Sequence, residues 1–149
     1  YIADEGPKGP QAPRGFTSLH GPPEVDENIR QLCAKKHYAQ SNKYLDYVWC
    51  RNKDYKSDAW QSCATAGIDA KVIEKCSTGT EGEQLHRENI KIAQALSVSG
   101  SPTWLANNRY KFSGIAADAI KKNVCQYNSK LENCDKTLNQ EAKAQGSCN

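Results

Sequence analysis

The seven cysteines could do more kinds of chemistry than any other residues in this chain, because a thiolate is a nucleophile, a metal ligand and a disulfide precursor. They stand at Cys33, Cys50, Cys63, Cys76, Cys125, Cys134 and Cys148. No two of them form a Cys-x-x-Cys pair. Zinc sites use close ligand pairs and haem attachment needs Cys-x-x-Cys-His, so this spacing predicts neither a metal site nor a haem.

Structural disulfides are the favoured role for the four cysteines in the middle of the chain. A Cys50–Cys63 bond would join two predicted helices, and a Cys33–Cys76 bond would close the block that contains them. Spacing alone does not fix this pairing. Free buried thiols that pack as small apolar side chains are the alternative.

The three remaining cysteines, Cys125, Cys134 and Cys148, form a C-terminal group. Because the total is odd, at least one cysteine is left as a free thiol or pairs with a partner chain or a segment outside this sequence. A catalytic thiol needs a lowered pKa, which a helix N-terminus supplies. None of the seven is predicted at such a position, so we expect no catalytic residue among them.

The segment Ser101-Pro102-Thr103 is the second candidate site, because it opens a predicted β-hairpin over residues 103–112. Asn107-Asn108 suits a tight turn with positive φ. Pro102 is at the start of the first strand, where its missing N–H interrupts the strand pairing least. An X–Pro peptide bond adopts the cis form at little cost in free energy. The residues that favour the two strands are Trp104, Leu105, Tyr110 and Phe112.

This proline, hairpin and following helix resemble the C-terminal half of a thioredoxin-like fold, and the wider chain is most similar to its DsbA-like branch. Two segments are similar to the interferon-inducible lysosomal-type thiol reductase family. They are Cys76-Ser-Thr-Gly-Thr-Glu-Gly-Glu-Gln-Leu85 with Asn89, and Val124-Cys125-Gln126-Tyr127 with Cys134. The resemblance covers roughly residues 60–135. It departs from the family in one respect, because the family's Cys-x-x-Cys is absent.

The resemblance implies a role for Pro102 as the cis-proline that faces the catalytic dithiol in the superfamily. The backbone of Ser101, Pro102 and Thr103 would then line a groove that binds a protein or peptide thiol or disulfide substrate by added-strand pairing. The alternative is a turn proline that only ends a loop.

Composition narrows the class of protein. Only 38% of the 149 residues are apolar, and the mean hydropathy is −0.80, so we expect a thin core stapled by disulfides. Cysteines at this density favour an extracytoplasmic location, whether secreted, periplasmic or lumenal. The net charge of +3 is interspersed, which argues against nucleic-acid binding. No apolar run approaches a membrane span, and nothing predicts a cofactor.

Helical periodicity predicts a block of helices over about residues 24–97. The first buries Val25, Ile29, Leu32 and Cys33, and a second, capped by Ser41, turns Tyr44, Leu45, Val48 and Trp49 inward. A third begins at Ser57-Asp58, and Asp69 caps a fourth. Thr80 and Glu83 form a capping box for the longest helix, whose inward stripe is Leu85, Asn89, Ile92, Ala93 and Leu96. His86 falls on its charged face.

These elements predict an α+β, thioredoxin-like domain over residues 1–128, with the helical block as an insertion and residues 129–149 as a polar, cysteine-containing tail. Tyr1-Ile2-Ala3 suits the end of a strand, and we expect the fold's first strand–helix unit to be missing. The chain is then of thiol–disulfide oxidoreductase lineage, with its dithiol supplied by a partner chain or an absent segment. The alternative is a redox-inert binding or assembly module that kept the fold.

Overall fold

A computed structural model describes residues 4–54, 57–65 and 67–138 of the chain. The described residues up to 98 belong to one compact unit, and those from 99 onward belong to a second. The first unit contains strands β1 (Asp4–Glu5) and β2 (Phe16–Thr17) and helices α1 (Pro22–Tyr38), α2 (Lys43–Arg51), α3 (Ala70–Thr78) and α4 (Thr80–Ala95). The second contains strands β3 (Thr103–Ala106) and β4 (Tyr110–Ser113) and helix α5 (Ala117–Gln126).

Helix α1 is the central element of the first unit, and α2, α3 and α4 all pack against it. Two prolines begin it, where the missing N–H groups cost nothing. The buried stripe contains Val25, Ile29 and Cys33, as the periodicity predicts. These side chains join one apolar cluster with Tyr47 of α2, Ile73 and Cys76 of α3 and Ile90 of α4.

The predicted N-cap of α3 is confirmed, whereas the N-cap predicted for α4 is wrong. Asp69 caps α3, because its carboxylate accepts a 2.8 Å hydrogen bond from the Lys71 amide. The capping box expected at the start of α4 is wrong. Thr80 is the first helical residue, and Gly79 is the N-cap without a side-chain hydrogen bond.

The inward face of α4 is also rotated from the predicted one. Its buried residues are Gly82, His86 and Ile90, which follow an i, i+4, i+8 pattern. Ile92, by contrast, is 58% exposed. A Cβ at Gly82 would lie 2.7 Å from Ile29 Cγ2 and 2.6 Å from the Cys76 carbonyl oxygen. The small glycine therefore lets α4 approach α1 and α3 closely, which selects this face.

Three predictions for the second and third helices are wrong. In α2 the buried residues are Tyr47 and Arg51, whereas Leu45 and Trp49 point outward and are 40% and 67% exposed. The N-cap is Asn42 and not Ser41. In place of the third helix the described residues form one 3-10 turn, Trp60–Cys63, whose Trp60 and Cys63 are buried.

The N-terminal sheet is a short antiparallel pair in which Glu5 lies opposite Phe16. The connecting loop, residues 6–15, is ordered by backbone hydrogen bonds, including Gly6 N–H to the Gly15 carbonyl at 2.9 Å. Arg14 leaves this loop and donates to the Ser77 carbonyl at 2.7 Å. The strand end predicted at residues 1–3 lies outside the described residues.

The second unit contains the predicted hairpin. Strands β3 and β4 pair antiparallel, with Trp104 opposite Phe112 and Ala106 opposite Tyr110. Asn107 and Asn108 both have φ of 54°, as a tight turn requires. Arg109 is a third loop residue, so the connection is one residue longer than the predicted two.

The described residues therefore form an α+β chain, with helices beside two small two-stranded sheets. Its disulfides are Cys33–Cys76, Cys50–Cys63 and Cys125–Cys134. No helix within the described ranges combines the length and apolarity needed to span a bilayer. The thioredoxin-like assignment, the insertion over 24–97 and the boundary at residue 128 remain predictions.

Candidate functional site

The predicted substrate groove lies at the start of β3. The Ser101–Pro102 peptide bond is cis. Ser101 is exposed, while Pro102 and Thr103 are half-buried. Thr103 donates a 2.6 Å hydrogen bond from Oγ1 to the Gly100 carbonyl, which ties the segment before the proline to the first strand residue. The three residues therefore form an ordered, accessible entry to the hairpin.

The hairpin leaves backbone groups available beside this entry. Its sheet has two strands among the described residues, so β3 has only β4 as a ladder partner there. An unpaired strand edge is a template for an added strand. Trp104 is 41% exposed and donates from Nε1 to the Gly114 carbonyl at 2.9 Å, which holds its ring in place. An extended peptide would find both an edge and an aromatic surface here.

The six cysteines that the structure describes are all bonded in pairs, so none of them is a thiol. Both pairings considered for the middle of the chain are the ones observed. Cys33 and Cys76 are 0% and 2% exposed, which marks theirs as a core disulfide. Cys148 lies outside the described residues. The arrangement gives no catalytic thiol in this part of the chain.

One cluster of possible metal ligands is not predicted from the sequence. His37 Nε2 lies 3.4 Å from Glu81 Oε2, and these atoms and the Cys76 sulfur all lie within 4.8 Å of one another. The sulfur is bonded to Cys33 and is not a thiolate, so the oxidised protein does not offer a complete metal site here. The available signal was the four-residue spacing of Cys33 and His37, which places both on one face of a helix.

A buried ion pair joins α1 to α2. Arg51 Nε lies 3.0 Å from Glu27 Oε2, and the two side chains are 2% and 1% exposed. Gln31 donates to the other carboxylate oxygen at 3.2 Å. Burial, together with the nearby Glu27 charge, raises the pKa of Tyr47, so its phenol stays neutral. These contacts stabilise the helix pair and leave no reactive group exposed.

His86 is not on a solvated face, contrary to the prediction. It is 1% exposed, and its ring contacts Phe16 edge-on at 4.7 Å between centroids. Neither ring nitrogen has a hydrogen-bond partner among the described residues. Burial, aided by the charges of Arg14 and Arg87, lowers the pKa of His86 to about 4. The imidazole is thus an apolar core group at neutral pH.

Three of the five residues predicted to face inward on α4 line a surface groove of about 350 Å³ between α1 and α4. Its walls contain Leu32, Leu85, Asn89 and Ile92 with three charged residues, Lys35, Lys36 and Glu88. The groove is apolar and open, and no cluster of catalytic side chains converges on it.

No curated protein and no solved structure matched the chain. A family match does exist, in residues 4–67. It covers the N-terminal strands, α1, α2 and Cys63, whereas the resemblance drawn from the sequence relies on residues 60–135. The two therefore rest on largely different parts of the chain. This chain is similar, through residues 4–67, to the family described as gamma interferon inducible lysosomal thiol reductase (GILT).

Proposed function

We propose that this chain is part of an extracytoplasmic thiol–disulfide oxidoreductase with a thioredoxin-like fold of the DsbA-like branch. The observation that carries the proposal is the match of residues 4–67 to a thiol reductase family. The hairpin that follows Pro102 adds independent support, because a resemblance to the same superfamily predicts it in another part of the chain.

In this proposal the segment Ser101–Pro102–Thr103 binds the substrate. A protein or peptide with a disulfide would lie along the outer edge of β3 and pair with its backbone. The exposed Ser101 and the half-buried Pro102 and Thr103 leave room for such a segment. The exposed face of Trp104 would contact its side chains.

The chemistry is thiol–disulfide exchange. A thiolate attacks one sulfur of the substrate disulfide, a mixed disulfide forms, and a second cysteine resolves it. The chain contains no Cys-x-x-Cys, and its described cysteines are bonded to one another. The dithiol must then come from another segment of a longer protein or from a partner chain.

The disulfides support the proposed extracytoplasmic compartment. Three bonds, one of them in the core, persist in an oxidising environment and not in a reducing cytosol. A secreted, periplasmic or lumenal location suits both the bonds and the proposed activity.

The second candidate is a redox-inert binding or assembly module. The absence of Cys-x-x-Cys from the 149 residues favours it. In this case the β3 edge would bind a partner without any exchange of electrons.

The intact mass of the native protein, with a disulfide-reduction assay on the same sample, separates the two candidates. Additional mass that contains two close cysteines, with turnover of a protein disulfide, supports the oxidoreductase. A native mass equal to that of the 149 residues, with no turnover alone or with co-purifying chains, contradicts it and favours the module.

A second test examines the groove in the active protein. Pro102→Thr is expected to slow the release of mixed disulfides, so substrate-linked species accumulate on non-reducing gels. Pro7→Thr is the matched control, because Pro7 is exposed in the loop of residues 6–15. If the Pro102 variant and the control trap equally little, the groove is not the substrate site.

A further inference from the structure

His37 and Glu81 cover a disulfide that could supply metal ligands. His37 and Glu81 side chains are 32% and 45% exposed, while Cys76 beneath them is 2% exposed. Imidazole nitrogen, carboxylate oxygen and thiolate sulfur are the three ligand types that zinc uses in proteins. Here a histidine nitrogen, a carboxylate oxygen and the Cys76 sulfur, which is bonded to Cys33 in the oxidised protein, come within 4.8 Å of one another.

Three helices hold these groups. Cys33 and His37 are four residues apart on α1, so they lie on one face of that helix. Cys76 is in the last turn of α3 and Glu81 is in the first turn of α4. Because α3 and α4 both pack on α1, a rigid framework brings His37, Cys76 and Glu81 together.

We propose that reduction of the Cys33–Cys76 disulfide creates a zinc site with Cys76, His37 and Glu81 as ligands. In the oxidised protein the sulfurs are bonded to each other and the site is closed. The proposal concerns a group separate from the β3 edge, and it does not depend on the function proposed for that edge.

The reaction balances with a dithiol as the reductant. The dithiol transfers two electrons and two protons, its own sulfurs form a disulfide, and the Cys33–Cys76 bond breaks to give two thiols. Zinc then binds the Cys76 sulfur and releases its thiol proton to solvent, while Cys33 remains a thiol. Reoxidation reverses the sequence and expels the metal.

The distances suit zinc after a small adjustment. With zinc–sulfur bonds of about 2.3 Å and zinc–nitrogen or zinc–oxygen bonds of about 2.0 Å, tetrahedral ligand atoms lie roughly 3.3–3.8 Å apart. The His37–Glu81 separation of 3.4 Å is already in this range. The longer distances within the cluster shorten by about 1 Å if the two exposed side chains rotate, which their accessibility permits.

The second disulfide of the same unit provides a natural comparison. Cys50 and Cys63 also join two parts of the helical block. Among the described residues, the cluster at His37 is the one group of three potential ligands that come this close together. A thiol freed at Cys63 should therefore lack the partners that zinc requires.

The test uses the full chain with Cys33→Ser, which frees the Cys76 thiol without any reductant. Cobalt(II), a spectroscopic substitute for zinc, is titrated into this variant, into oxidised wild type and into Cys50→Ser. We expect a thiolate-to-cobalt charge-transfer band in Cys33→Ser alone, with zinc displacing the cobalt. Zinc should bind this variant at least about tenfold more tightly than it binds Cys50→Ser.

Adding His37→Ala or Glu81→Gln to Cys33→Ser should each weaken zinc binding by about tenfold or more. Circular dichroism verifies folding, and if Cys33→Ser is unfolded, wild type reduced by a phosphine and then freed of it is titrated instead. The proposal is overturned if folded protein with a free Cys76 gives no band. It is equally overturned if Cys50→Ser binds as tightly, or if removing His37 and Glu81 together leaves the affinity unchanged.

Discussion

The imidazole of His86 packs edge-on against the ring of Phe16, with the centroids 4.7 Å apart and the planes at 88°. This contact joins α4 to the N-terminal sheet. Because the pKa of His86 in the folded protein is lowered to about 4, the contact is maintained by a neutral ring. Protonation would place a charge in a core that offers it no acceptor among the described residues.

The first prediction concerns the stability of the protein in acid. The ordinary pKa of His86 is 6.5, so His86 of the unfolded chain is protonated below that pH. In the folded protein the same imidazole stays neutral until the pH falls to about 4. Stability is therefore lost as the pH falls from 6.5 to 4, by about 3 kcal/mol from this residue. Urea unfolding measured at pH 7 and pH 4 gives this difference.

His86→Phe should remove most of that difference, because phenylalanine keeps the edge-on contact and cannot be protonated. His37→Gln is the control, since His37 is partly exposed and beside Glu81. A His86→Phe protein that loses as much stability between pH 7 and pH 4 as wild type does would contradict the assignment.

The second prediction concerns the buried pair of Glu27 and Arg51. Arg51→Met is expected to lower the free energy of unfolding by about 3 kcal/mol, because the buried Glu27 carboxylate keeps only Arg30, at 3.3 Å, as a cationic partner among the described residues. The double variant Glu27→Met with Arg51→Met should regain much of that loss.

Thermal and urea unfolding measure both variants of this pair. Glu5→Gln, which removes the exposed partner of Arg87, is the control and should have a much smaller effect. If the double variant is no more stable than Arg51→Met, the loss arises from packing and not from the weakened ion pairing of Glu27.

The third prediction compares the two disulfides of the first unit. Cys33–Cys76 closes 43 residues of chain, whereas Cys50–Cys63 closes 13. Loop-closure entropy then makes removal of the first bond cost about 4 kcal/mol and removal of the second about 3 kcal/mol. Paired Cys→Ala variants, unfolded in urea, test the order. A larger loss from the 13-residue loop would show that packing outweighs chain entropy here.

The fourth prediction is that Gly82→Ala destabilises the protein although alanine is the better helix former. The added methyl would lie 2.6–3.0 Å from the Cys76 carbonyl, Ile29 and Ser77. Such overpacking costs typically 1–3 kcal/mol, against a propensity gain of about 1 kcal/mol. Gly100→Ala is the matched control, because nothing lies within 4 Å of a Cβ there. Equal melting temperatures for the two variants would refute the close approach of α4.

Local patterns in the sequence were sufficient to predict α1, the cap of α3 and the hairpin with its asparagine turn. They failed where the buried face was not the most apolar one. Arg51 lies on the buried face of α2 because it pairs with the buried Glu27 of α1. Trp49 therefore lies on the exposed face. The periodicity of apolar residues does not predict such a pair, because a charged side chain considered by itself is expected to be exposed to solvent.

The face of α4 was misassigned for a related reason. The predicted stripe through Leu85 and Ile92 is more apolar than the observed one, but Gly82 allows the closest helix approach and His86 is neutral when buried. For the candidate sites, residue type and order along the chain predicted the position of Pro102 and the two cysteine pairs of the helical block. The cluster of His37 and Glu81 depends on three helices meeting, which spacing along the chain does not encode.

The Cys33–Cys76 bond also crosses the boundary of the family match, which ends at residue 67. A polypeptide cut at that boundary would carry Cys33 without its mate, and the Arg14 guanidinium would lose the carbonyl of Ser77. The stretch that is similar to the thiol reductase family therefore depends on α3 for its core disulfide and is only part of the first unit. Any recombinant dissection of this protein has to keep residues 4–98 together.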